Sequence, residues 1–145
     1  MVTVNTDKTQ ALIGFTEKMN DAETKNLGAD IDNFFASVTL TSLDGKDISS
    51  SEKMLLTTAA TSILSGSKWN DERNSLVEWG EHPFVITPVT GNLTLIGLEY
   101  NGDVKITPLD GAGKPIGEPE IITAYNNVLK FKIGQTPTVW YLIEK

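Results

Sequence analysis

The 145-residue chain reads as all-β, an antiparallel β-sandwich of jelly-roll type. Three observations predict this class. Apolar and polar residues alternate with the period of two that marks half-buried strands. Turn signals recur at intervals of roughly eight to fifteen residues, the punctuation of a sandwich or jelly roll. No segment carries a sustained helical apolar stripe.

Ten strands are expected in order. Val2 to Asn5 and Ala11 to Phe15 open the chain, and Thr16 to Gly28 reads as a loop with one short helical turn. In Ala36 to Thr41, Ala36, Val38 and Leu40 alternate with Ser37, Thr39 and Thr41. Lys53 to Ile63, Phe84 to Pro88 and Leu93 to Leu98 follow. Val104 and Ile106 alternate with Lys105 and Thr107, then comes Glu120 to Thr123. Leu129, Phe131 and Ile133 alternate with Lys130 and Lys132, and Thr138 to Glu144 ends the series. In that last strand alternation sends one of Trp140 and Tyr141 inward and the other outward. Two similar turns, Ser42 to Ile48 and Pro108 to Ile116, carry Asp-Gly, which supplies the positive φ of tight hairpins. Gly111-Ala112-Gly113-Lys114 lacks the spacing, the Ser/Thr and the following helix of a phosphate loop, and belongs to a hairpin. Nothing marks a linker, so residues 1–145 form one module, large enough to bury a core.

Composition narrows the chemistry. Without cysteine there is no disulfide framework, thiolate metal site or cysteine nucleophile. Twelve basic against 19 acidic residues give a net charge of −7, which disfavours nucleic acid and anionic membranes as partners. No run approaches a membrane span, and the N-terminus lacks a signal-peptide pattern. A single histidine, His82, excludes multi-histidine metal sites and leaves no convincing hydrolase triad. Glu72, Glu78 and Glu81 offer carboxylate pairs of the kind used in glycoside hydrolysis, but any acidic loop does so, and the chain is read as non-enzymatic. No cofactor is required. Asp44, Asp47, Asp103 and Asp110 sit at turns where a structural calcium could bind, although no loop has a diagnostic calcium spacing.

The densest chemical segment is Ser67 to Phe84, with two of the three tryptophans, an arginine, the histidine and several amides and carboxylates. Flat rings stack on pyranose faces, and planar polar groups hydrogen-bond to hydroxyls. Trp69 and Trp79, with Asn70, Glu72, Arg73 and Glu78 as polar partners, are therefore the first candidates for a carbohydrate-binding face; Tyr100 and Tyr125, each beside an asparagine, are the second. The same loop could instead fold back as an aromatic plug over the sandwich core.

Four phrases carry a further resemblance: SLDGKDISSSEKMLLTTAATS, KWNDERNSLVEWGEHP, ITPVTGNLTLIGL and TPTVWYLIEK. Taken in order, the LLTTA strand at Leu55 to Ala59, Trp69-Asn70 with Arg73 and Ser75, Trp79-Gly80, the hairpin at Val89 to Leu93, and Trp140 to Ile143 resemble the β-sandwich modules found C-terminal to TIM-barrel domains in large secreted bacterial glycoside hydrolases. The resemblance spans nearly the whole chain. It implies an accessory module excised from a larger secreted enzyme, such as one carried by a cellulosome-type system, with catalysis in a covalently linked domain. The function expected is a carbohydrate-binding module for a β-glucan or related neutral polysaccharide. The alternative is a structural sandwich that packs on the barrel and stabilises it without binding glycan.

Overall fold

The computed structural model describes residues 1–20 and 22–145. Fourteen strands are described: β1 (Val2–Asn5), β2 (Thr9–Phe15), β3 (Leu27–Ile31), β4 (Phe35–Ser42), β5 (Lys53–Ala59), β6 (Ser62–Ser65), β7 (Lys68–Trp69), β8 (Leu76–Glu78), β9 (Glu81–Ile86), β10 (Gly91–Leu95), β11 (Gly102–Leu109), β12 (Glu120–Ala124), β13 (Leu129–Ile133) and β14 (Trp140–Glu144). The helix described, α1 (Thr16–Met19), is the short turn expected there.

A seven-stranded antiparallel sheet has the order β1-β2-β4-β5-β14-β11-β12, and a three-stranded sheet the order β13-β10-β3. They enclose one core. The large sheet contributes Leu12, Leu40, Met54, Leu56, Tyr141 and Ile143, and the small sheet Leu27, Leu93, Leu95, Leu129, Phe131 and Ile133. Alternation divides the pair at the chain's end: Tyr141 enters the core while Trp140 lies half-buried on the opposite face. Buried polar groups at one edge satisfy one another. The Gln10 amide accepts from the Asn26 backbone N–H at 2.7 Å and the Thr24 hydroxyl at 2.5 Å, and donates to Asn26 Oδ1 at 3.0 Å. Thr58 and Thr107, by contrast, bury hydroxyls that have no partner.

Three details differ from the sequence reading. β3 lies partly inside the segment read as a loop, because its apolar residues are interrupted by Gly28 and Asp30 and give little strand signal. The expected strand from Lys53 to Ile63 breaks at Ala60-Thr61, where the chain leaves the sheet. The loop expected over Ser67 to Phe84 is instead a strand-paired arm, formed by two small ribbons, β6-β9 and β7-β8.

Candidate functional site

The arm begins where β5 ends and returns into β10. At its root the Thr87 backbone N–H donates to Thr61 O at 2.9 Å, and the Asn33 side chain clamps the returning strand, donating to Pro88 O at 3.0 Å and accepting from Thr90 N–H at 2.9 Å. The first ribbon pairs Ser62 with Ile86, Ile63 with Val85 and Leu64 with Phe84, and an irregularity follows at Ser65, which pairs with Glu81. Directly paired residues share a face. Ile63 and Val85 therefore occupy one face of the ribbon, and Leu64, Phe84 and Ile86 the other.

Beyond this the chain narrows through two glycines. Gly66 and Gly80 have φ of +77° and +72°, and a Cβ on Gly80 would sit 2.5 Å from Ser65 O, so only glycine fits between the two strands there. The Ser67 hydroxyl donates to Trp79 O at 2.8 Å. The second ribbon pairs Lys68 with Glu78, whose side chains form a 2.8 Å ion pair, and Trp69 with Leu76 on the opposite face. At the tip Asn70 is used internally. Its Oδ1 accepts from the backbone N–H groups of Asn74 and Ser75 at 3.0 and 3.2 Å, and its Nδ2 donates to Asn74 Oδ1 at 2.7 Å. Asn74 in turn donates to Glu72 at 2.9 Å, while Arg73 takes a left-handed conformation with φ of 54°.

Six of the eight sequence candidates thus share the arm: Trp69, Asn70, Glu72, Arg73, Glu78 and Trp79. Both tryptophans face solvent, at 45 and 73% exposure, which excludes the core-plug alternative. Asn70, Glu72 and Glu78 have structural employment, shaping the turn or pairing with lysine. The two tyrosines lie elsewhere. Strand register puts the arm's root beside Ala59, Trp140 and Leu109, at one end of the large sheet, whereas Tyr100 and Tyr125 flank Gly102 and Ala124 at the other. Tyr125 is exposed on its turn, but Tyr100 packs against the core, donates its hydroxyl to Asp103 O at 3.1 Å and has the Lys145 ammonium 5.8 Å from its ring centre. Burial lowers the Lys145 pKa from its usual value.

The turn aspartates act as caps. Asp44 accepts from the backbone N–H groups of Glu52 and Lys46 and the hydroxyls of Ser51 and Ser42, and these donors, that of Glu52 foremost, hold its carboxyl far below the usual range. Asp110 accepts from the backbone N–H groups of Ala112 and Lys114, whereas Asp103, expected at a turn, lies in β11, where its carboxylate accepts from the hydroxyl of its cross-strand partner Thr123 on β12. Among the described residues no group of three or more histidines, aspartates or glutamates is placed to hold a metal ion.

The feature missed from sequence is aliphatic. Ile63, Leu64, Val77, Phe84, Val85 and Ile86 accompany the tryptophans, yet no residue from Ala59 to Pro88 is buried. At the arm's root Ile86 and Pro88 meet Leu109, Ile116, Pro137 and Val139 in a cleft of about 400 Å³. Nearby Phe15, Phe34 and Phe35 form an exposed edge-to-face trio, with ring centres 5.1 and 5.5 Å apart. Their signal was in the sequence: the alternation that buries Ala36, Val38 and Leu40 turns Phe35 outward. The chain matches no family model, no curated protein and no solved structure, so the geometry of the arm and its apolar root carries the functional argument.

Proposed function

We propose that this chain is a non-catalytic accessory sandwich that docks, through its arm and the apolar end at the arm's root, onto a covalently linked catalytic domain of a secreted polysaccharide-degrading enzyme. One observation carries the reading. A two-stranded ribbon with large apolar side chains on both faces has no buried residue. Such a ribbon is marginal alone in water, and its unpaired edges invite aggregation unless something covers them. A sugar ring would account for one flat aromatic face, but not for Ile63, Leu64, Phe84, Val85 and Ile86 on both sides of the ribbon. A protein surface accounts for all of them. A jelly-roll derivation is part of the proposal and is supported by the way the chain crosses between sheets at β2-β3-β4, β5-β10-β11 and β12-β13-β14.

A second reading, carbohydrate binding, rests on the exposure of Trp79 and on the shallow concavity beside it, lined by Glu78, Glu81 and His82. The two separate experimentally. In the docking reading, the polypeptide joined to its catalytic domain loses melting temperature in that domain when Trp79 and Phe84 are both changed to Asp. An unchanged melting temperature, together with retardation of the isolated chain in gels containing β-glucan, xyloglucan or mannan, would replace docking with glycan binding.

A further inference from the structure

Strand register makes the outward face of the large sheet unusual. Outward neighbours follow directly from the pairing: Val4, Ala11, Thr39, Thr57, Trp140 and Leu109 form one row across six strands. The next row toward Lys53 is Thr9, Thr41, Leu55, Leu142 and Thr107. Two rows toward the arm's root are Val2, Ile13, Ser37 and Ala59, then Phe15 with Phe35. None of these residues is charged. Charge returns only at the far margin, where Glu144 lies 3.4 Å from both Lys53 and Lys105. The outward face of the small sheet is the opposite case, presenting Asp30, Asn92, Thr94, Lys130 and Lys132.

A half-solvated antiparallel sheet normally places polar and charged residues on its open side, and a strand apolar on both faces is one covered on both. β5 and β14 have that character. Thr107, Ala11 and Leu109 in these rows are already covered by the chain itself, at 4, 3 and 8% exposure, so the part of the face open to a partner is carried by half-buried neighbours such as Val4, Ile13, Leu55, Trp140 and Leu142. The geometry points to this face as the seat of a second folded protein domain, with the arm as a strap along that domain's flank. The inference rests on the docking reading above and names where the body of the partner sits.

Area supports a protein occupant. Five strands about 4.8 Å apart and six residues rising about 3.3 Å each give an uncharged face of roughly 20 by 20 Å, or about 400 Å². One side of the arm adds roughly 250 Å² by the same spacings. Neither reaches the ~800 Å² that each partner contributes to a standard interface, but the two with the phenylalanine trio approach it. A neutral glycan is disfavoured on chemistry, since these rows contain no carboxylate, amide or guanidinium to grip hydroxyls; apart from five threonines and Ser37 their residues are apolar. The surface that fits is aliphatic and uncharged, as on a packed helical layer, with polar groups near the row of threonines.

The absence of native cysteine permits a direct test. Single cysteines are placed on the sheet face (Thr57→Cys), the arm (Val77→Cys) and the small sheet (Lys132→Cys). Maleimide labelling is then followed by peptide mass spectrometry in the isolated chain and in the polypeptide as its source cells make it. The expected result is at least about tenfold slower labelling at positions 57 and 77 in the cellular polypeptide, with position 132 unchanged. Protection at 77 but not 57 overturns the seat and leaves the docking reading standing; protection at 57 alone removes the arm from the interface and overturns the docking reading and, with it, the inference in this form. Protection at neither removes both. Protection at 57 that appears in the isolated chain and disappears on dilution means a second copy, and protection abolished by polysaccharide digestion means a glycan. Either overturns the inference. Thr39→Cys, in the same row, replaces Thr57→Cys should that variant fail to fold.

Discussion

Removing the arm altogether should leave the sandwich folded. Consider excision of Ser62–Ile86, joining Thr61 to Thr87 through Asn-Gly, the pair that best forms a two-residue hairpin turn. The ends are already in place, since Thr87 N–H bonds to Thr61 O at 2.9 Å. Shortening the connection from about 25 residues to two lowers the closure cost by roughly 2 kcal/mol. The main apolar loss at the root is Ile86, which is 55% exposed. Having roughly half of the ~2 kcal/mol available from full burial, it gives up about 1 kcal/mol. The expected net change is within about 1 kcal/mol of zero and on the stabilising side, measured by urea unfolding followed by far-UV circular dichroism. With a slope of about 1 to 3 kcal/mol/M, the midpoint moves by no more than ~1 M. Solubility should rise, because the excised ribbon carries the exposed Trp79, Phe84 and Ile86. A loss above about 3 kcal/mol, the size of a core truncation, would show that the arm belongs to the sandwich and would refute the docking argument at its root.

Other substitutions probe the same division between core and arm. Trp69→Ala and Trp79→Ala should each cost less than about 1 kcal/mol in urea unfolding, whereas Phe131→Ala, at a site 4% exposed, should cost about 3 to 5 kcal/mol. Thr58→Val keeps the shape and removes a buried hydroxyl without a partner, so it should stabilise by about 1 kcal/mol and raise the calorimetric melting temperature by roughly 2 to 4 °C. The effect of Asp44→Asn should depend on pH. Because the folded-state pKa of Asp44 is depressed, its contribution is complete above the ordinary carboxylate value near 4 and is lost as pH falls through the folded value. The wild type should therefore have the higher urea midpoint at pH 7, and the gap should narrow at pH 2.5; a gap unchanged or widening in acid would contradict the assigned hydrogen bonds.

The all-β class was legible because the inward residues of β4, β11 and β13 alternate cleanly with polar ones. β3 was not, since Gly28 and Asp30 dilute a five-residue strand whose identity comes from pairing with β10. The tip residues Trp69 to Glu78 were singled out by composition. Their grouping followed from sequence adjacency, and the fold keeps them together in the arm. Tyr100 and Tyr125 failed to join them because turn asparagines, the feature that selected them, occur at both ends of a sandwich.

The harder omission was the meaning of Lys53 to Ile63 and Phe84 to Pro88. Each looks like a core strand, and period-two patterning specifies which residues share a face, not whether anything covers that face. Leu55 and Leu56 show the ambiguity within one dipeptide. Leu56 points inward and is fully buried; Leu55 points outward into the uncharged row with Thr41 and Leu142. Ile63 and Val85, equally strand-like, lie on a ribbon with no sheet beneath them. An apolar residue that a lone domain leaves uncovered has the same local signature as one in its own core. The distinction appears only when the sheets are assembled, and it is then that the sequence's surplus of apolar positions becomes evidence for a surface outside the chain.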